Sequence, residues 1–197
     1  MVSSPYEVLH RHISQFAHLT ETDLRLADDH WYFRSIAKHD LFTFHNSVCR
    51  QVGFILKGVF RVYYIDPKTE QEQNMYFVAE HTFMTSLKSL LTKTICPYLI
   101  EALEDAELLV IDYEHLQRLY IQSHGWERFG RLLAEHYFLL NQSRSESLLT
   151  QTAEERYLHL LETQPDILNR VSLGHISSYL GIKGPSLSRI RAQVARK

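Results

Sequence analysis

Apolar residues in the first sixteen positions recur at the spacing of one helix face. Tyr6, Leu9, Ile13 and Phe16 lie three or four apart and predict an opening helix. A second short helix starts at Thr20 or Thr22, either of which would cap it, and runs through Leu24 and Leu26. From Trp31 to about Asp112 the pattern changes to short runs of β-branched and aromatic residues, broken by Gly, Pro, Asn and Asp. In Gly53–Asp66 two apolar runs flank Gly58, which suits a turn or bulge at positive φ. Asp66-Pro67-Lys68-Thr69-Glu70 reads as a polar hairpin tip, followed by a returning strand at Asn74–Val78. Leu99–Leu103 and Ala106–Asp112 read as strands around the Glu104-Asp105 turn. The expectation is a small antiparallel β-sandwich or barrel.

After Asp112 the strand signal stops. Tyr113 to about Ser123 reads as a short helix, and Trp126 to about Leu149 as a long one of roughly 36 Å. Its stripe of Phe129, Leu132, Leu133, His136, Tyr137, Leu140 and Leu148 predicts a dimerisation helix; a helix packed only on its own chain is the alternative. Thr152-Ala153-Glu154-Glu155 has capping-box spacing before Tyr157, Leu158, Leu160 and Leu161, and this helix stops before Pro165. Val171–Arg191 then reads as helix, turn, helix. Ser172 caps the first helix, Leu173, Ile176 and Leu180 form its inner face, Gly181 makes the turn and Pro185 opens the second helix. On that second helix Leu187, Ile190 and Val194 share the core side. Ser188, Arg189, Ala192 and Arg196 point the other way, with Ser186 and Gln193 on the flank. Small hydroxyls beside arginines suit a helix lying in the major groove.

Charge strengthens that reading. The 197-residue chain carries 21 Lys+Arg against 23 Asp+Glu, a near-neutral −2. From Arg170 onward, however, there are six basic residues (Arg170, Lys183, Arg189, Arg191, Arg196, Lys197) and no acid, so residues 1–169 carry −8. A +6 segment free of acids is the footprint of phosphate contacts. At 45% apolar the chain is too hydrophobic for a disordered protein. It has no run that would span a bilayer and no basic-then-apolar leader, so a cytoplasmic protein with no membrane partner is expected. Two cysteines, Cys49 and Cys96, exclude a disulfide framework, a Cys-rich zinc site and a four-cysteine cluster. His10, His12 and His81 are the conceivable haem or metal ligands. The twelve histidines are nonetheless scattered and read as surface residues, so no metal site is expected. No catalytic constellation is evident, and an enzyme is not expected.

Phe54-Ile55-Leu56-Lys57-Gly58-Val59-Phe60-Arg61-Val62, together with Ser177–Ile182 and Leu187–Arg191 around a long helix, resembles the cyclic-AMP receptor protein/fumarate–nitrate regulator (Crp/Fnr) superfamily over nearly the whole chain. The resemblance implies an α+β protein with three parts. Residues 1–124 would be a jelly-roll β-roll sensor, 125–150 a dimerisation helix, and 151–197 a winged-helix-like helix-turn-helix. It also implies a homodimer on a palindromic double-stranded DNA operator, a small-molecule effector and contact with RNA polymerase. The DNA-contacting residues would be Lys183, Ser186, Ser188, Arg189, Gln193 and Arg196. Of these Arg189 matches a base-reading position, whereas Gly184 and Pro185 replace the Arg-Glu pair of many relatives.

Family members that bind cyclic nucleotide carry Gly-Glu near a short helix and Arg-Ser/Thr opening the next strand. Here Val78-Ala79-Glu80-His81 keeps the acid without the glycine, and Cys96-Pro97 falls where Arg-Ser should be, with Lys88 and Lys93 nearby. A lysine does not supply a bidentate fork. The candidate ligand residues are therefore Glu80, Lys88 and Tyr98, and the expected ligand is something other than cyclic AMP, or none. A cyclic-nucleotide-fold module that acts on a protein partner is the alternative function.

Overall fold

The β-rich segment forms two four-stranded sheets, in a computed structural model that describes residues 4–44 and 46–195. Its strands are β1 (Tyr32–Ile36), β2 (Leu41–Thr43), β3 (Gln51–Lys57), β4 (Phe60–Ile65), β5 (Glu72–Val78), β6 (Phe83–Met84), β7 (Leu99–Ala102) and β8 (Ala106–Asp112). The sheet orders are β1-β8-β3-β6 and β2-β7-β4-β5, with every neighbouring pair antiparallel. Between the sheets lie Ile36, Phe42, Ile55, Phe60, Met84, Ile100, Leu108 and Val110.

Both sheets are covered on their outer faces as well, so the central strands read as continuous apolar runs. Along β3, Ile55 faces the sandwich while Val52 and Phe54 face outward beneath helices. Those helices are α1 (Pro5–Phe16), α2 (Glu21–Asp28), α4 (Tyr113–Gln122) and the start of α5 (His124–Thr150), while a short α3 (Leu87–Thr92) lies between β6 and β7. Leu9, Ile13, Leu119, Trp126 and Phe129 pack with Phe54, Leu109 and Ile111. Thr20, not Thr22, caps α2: its hydroxyl accepts the Asp23 N–H at 3.1 Å, and Asp23 returns a bond to the Thr20 N–H at 3.0 Å.

The remaining helices are α6 (Ala153–Thr163), α7 (Pro165–Arg170), α8 (Leu173–Tyr179) and α9 (Gly184–Val194). Pro165 both follows α6 and opens α7, a helix that the pattern before Val171 did not reveal. Among the described residues no strand follows β8, so the helix-turn-helix consists of helices alone and the winged form is not seen. Val59, Phe77 and Leu103, on the outer face of the second sheet, share one cluster with Tyr157, Leu160, Ile167, Ile176, Leu180 and Leu187. The C-terminal helices are the second sheet's cover.

The 27-residue α5 divides its stripe. Phe129, Leu132, Leu133 and Tyr137 pack against the β-roll and α1, whereas Leu140 and Leu148 remain about half exposed, beside Phe138 at 68% and Leu139 at 61%. The first half is thus a packing helix, and the second presents an apolar face that its own chain leaves open.

Gly58 joins β3 to β4 at φ +111°, and a Cβ there would stand 2.6 Å from the Ala106 Cβ. Gly58→Ala should therefore destabilise the β-roll by more than ~1 kcal/mol; chemical denaturation of the two chains measures it.

Candidate functional site

The helix-turn-helix is closed by local chemistry. The Ser172 hydroxyl accepts the His175 N–H at 3.2 Å and caps α8. At its other end the Ile182 N–H bonds to Ser177 O and the Gly181 N–H to Ser178 O, each at 3.0 Å, with Gly181 at φ +69°. This six-to-one and five-to-two pair is a Schellman closure, which needs a left-handed residue where Gly181 stands. It turns α9 so that Leu187, 1% exposed, enters the shared core, with Ile190 and Val194 partly buried beside it.

The opposite side of α9 is open. Lys183, Ser188, Arg189 and Gln193 are exposed and Ser186 half-buried, so five of the six sequence-predicted DNA residues lie on or beside one accessible helix; Arg196 lies outside the described residues. Among the described residues Arg189 has only long contacts, to Pro185 O and Ser186 Oγ at 3.4 Å each, and none with a carboxylate. Its guanidinium is available to a ligand.

Arg170 is not. Its guanidinium forks onto Glu80 at 2.9 and 2.7 Å and also binds Glu104. One Glu80 oxygen accepts the Gly58 N–H as well, at 2.8 Å. Arg170 above all, aided by that amide, holds the Glu80 carboxyl down to about 2 against partial burial. Glu80, expected to serve a ligand, sits in the β5–β6 turn and in this structure ties α7 to the β-roll. The same pairing removes Arg170 from the basic footprint. Nothing local signals it, because the partners are 90 positions apart.

A second junction lies beneath α8. Arg61, only 5% exposed, bonds Glu101 at 2.7 Å and Glu72 at 2.6 Å, lies 3.9 Å from the Tyr63 ring centre, and donates to His175 Nδ1 at 3.3 Å. The Asn74 N–H donates to Ser178 Oγ at 3.0 Å, and that hydroxyl donates to Glu72 O at 3.1 Å. Burial, then Arg61, lowers the pKa of His175, which lies between α8 and the second sheet.

The cassette around α3 lacks the partners of a cyclic phosphate. α3 begins after Thr85 and Ser86, with no carboxylate at its head, and Cys96-Pro97 precede β7 with no guanidinium. Lys88 is exposed on α3, and Tyr98 is half-buried with its phenol pKa raised by burial. No hydrogen bond or ion pair among the described residues joins either to Glu80. Ser89 instead ties the loops together, accepting the Cys49 N–H at 2.9 Å and donating to Thr94 O. Against α3 and α5 lies a groove of about 600 Å³ lined by Leu87, Ala134, Tyr137, Phe138, Leu139 and Asn141. The residues present do not fit a cyclic nucleotide.

The Glu80–Arg170 pair dictates an acid response. A carboxyl held below its ordinary 4.5 stabilises the fold fully above that pH, and the contribution disappears as pH falls toward about 2. Glu80→Gln should flatten the fall in thermal midpoint over that window; an unchanged profile would show that the pair is not formed in solution.

Residues 33–123 match the family model of the cyclic nucleotide-binding domain. No curated protein matches the sequence significantly. Among solved structures, FixK2 of Bradyrhizobium japonicum superposes with a TM-score of 0.73 at 17% identity, covering 84% of this chain and 85% of that one. The global regulator CLP of Xanthomonas campestris, described as responsive to c-di-GMP, gives 0.68 at 14% identity over 90% and 92%. A Crp/Fnr-family regulator of Eubacterium rectale gives 0.68 at 17% over 87% and 82%. Among the described residues no helix is long and apolar enough to cross a membrane. Residues 33–123 are thus similar to the cyclic nucleotide-binding domain, and the chain shares the fold of solved Crp/Fnr transcriptional regulators.

Proposed function

We propose that the protein is a homodimeric, cytoplasmic transcription regulator that reads a palindromic DNA operator through α9. The open face of α9 carries this reading: a capped and Schellman-closed helix pair buries Leu187 and presents Lys183, Ser186, Ser188, Arg189 and Gln193 to solvent, with no acid from Arg170 onward. Arg189 is the base-reading residue, since its planar fork suits guanine O6 and N7. The apolar face of α5 from Phe138 to Leu149 is the dimer seam, placing two recognition helices on half-sites about 34 Å apart. An effector and contact with RNA polymerase belong to the same reading. The effector is not a cyclic nucleotide, because Glu80 is occupied by Arg170 and no guanidinium precedes β7.

Two measurements test this. Duplexes selected from a random pool by the full chain should bind with strong salt dependence, and Arg189→Ala should cost about 1–3 kcal/mol and relax preference at one base position. Unchanged affinity and preference would remove Arg189 from the interface. Absence of any salt-sensitive DNA binding would favour a module that docks on a protein. Equilibrium titration with cyclic AMP should show no saturable binding up to about 1 mM; a micromolar constant would overturn the reading of the cassette.

A further inference from the structure

The Schellman closure of α8 uses the carbonyls of Ser177 and Ser178, and leaves those of Tyr179 and Leu180 without a backbone partner inside the helix. Two arginines from outside the motif take them. Arg144, on α5, donates to Tyr179 O and lays its guanidinium 3.9 Å from the centre of the Tyr179 ring. Arg156, on α6, donates to Leu180 O at 2.9 Å, and its other arm reaches back to Gln151 O and Ser147 O at the end of α5.

Neither arginine is among the ion pairs of the described residues, although both are half-buried. Burial pulls the Arg144 pKa below its ordinary value, and the Arg156 Nε is buried with no partner. Desolvating a guanidinium without a counter-charge is costly. What offsets that cost is the negative carbonyl end of α8 and the face of one tyrosine.

α5 is itself fastened to the N-terminal part of the chain from its start to its middle. Trp126 Nε1 donates to Asp23 O at 2.6 Å, Tyr137 Oη to Phe83 O at 2.5 Å, and Tyr76 Oη to Asn141 Oδ1 at 2.6 Å. Arg144 stands one turn beyond Asn141. The same helix is thus bonded to the β-roll side at Trp126, Tyr137 and Asn141 and, one turn on, at Arg144 to the turn that aims α9.

We propose that Arg144 and Arg156 are positioning residues: they lock the carbonyl end of α8 to the long helix and thereby set the separation of the two DNA half-sites that the dimer accepts. The proposal rests on the DNA-binding reading above. In a dimer joined along α5, the placement of each recognition helix depends on how its motif is held to that helix. The covalent link between α5 and α6 is only Gln151-Thr152 and does not by itself fix their angle. The arginines supply that angle from two directions.

The test uses the full chain and an operator selected with the wild type, remade with its half-sites moved apart or together by one or two base pairs, beside a duplex holding one half-site. The wild type should favour one spacing by about tenfold or more. Arg144→Leu and Arg156→Leu should bring all spacings to within about threefold of one another while leaving single half-site affinity unchanged. Arg144→Lys, which keeps a cation and one donor but not the planar stack, should fall between. Hydrogen exchange without DNA should quicken for amides of residues 177–187 in the leucine variants and stay unchanged in the β-roll.

Equal loss of affinity on every duplex, the single half-site included, would mean a merely structural role and overturn the proposal. Spacing preference retained in both leucine variants would overturn it too, as would a wild type with no preference. If the wild type binds no duplex at all, the DNA-binding reading falls, and exchange alone decides the clamp. Unchanged exchange at residues 177–187 would then dismiss it.

Discussion

One apolar cluster belongs to two domains at once, and the architecture follows from it. Val59, Phe77 and Leu103 leave the outer face of the second sheet, and Ile176, Leu180 and Leu187 leave the helix-turn-helix, to bury one another. Neither side has a substitute. A sheet with an apolar outer face needs a cover, and a C-terminal segment of fewer than fifty residues closes only a marginal core by itself. Area burial supplies the attraction between the domains but is indifferent to direction. Orientation relative to the sheet comes from the polar contacts at the rim, Arg170 with Glu80 and Glu104, and His175 and Ser178 over Arg61 and Asn74, while Arg144 and Arg156 hold the motif on the α5 side.

Electrostatics divides the molecule in the same place. The near-neutral total conceals an acidic body and a basic tail. Four of the acids, Glu72, Glu80, Glu101 and Glu104, are turned toward the junction, where they hold Arg61 and Arg170. A buried guanidinium with two carboxylates contributes little net stability once desolvation is counted, but a misplaced partner would be severely penalised. These pairs therefore select one docking angle. Among the described arginines after Arg170, Arg189 and Arg191 are exposed, in a segment without acids.

Features governed by neighbours in the chain were legible from the residues alone. Thr152 and Ser172 were readable as caps, Gly58 and Gly181 as positive-φ turns, and Pro185 as a first-turn proline, because each depends on geometry within a few residues. The apolar faces of α1 and α9 were readable too, since their periodicity is their burial. α7 escaped notice because six residues are too few for a period. Glu80 is a ligand candidate through the family resemblance alone, and the residues around it give no sign of the arginine it meets. Its actual partner comes from a helix 90 positions away.

By itself, then, the sequence determined the division into a β-rich segment flanked by helices, the amphipathic faces, the closure of the helix-turn-helix and the split of charge at Arg170. Each is set by local sterics, spacing or composition. Only the tertiary structure decided which carboxylate meets which guanidinium, that Arg170 serves the sensor rather than the basic footprint, and that Arg144 and Arg156 finish a helix on another element. Those assignments depend on long-range packing: the same glutamate or arginine is chemically satisfied by many partners, and the fold brings a particular two carboxylates to each of Arg61 and Arg170.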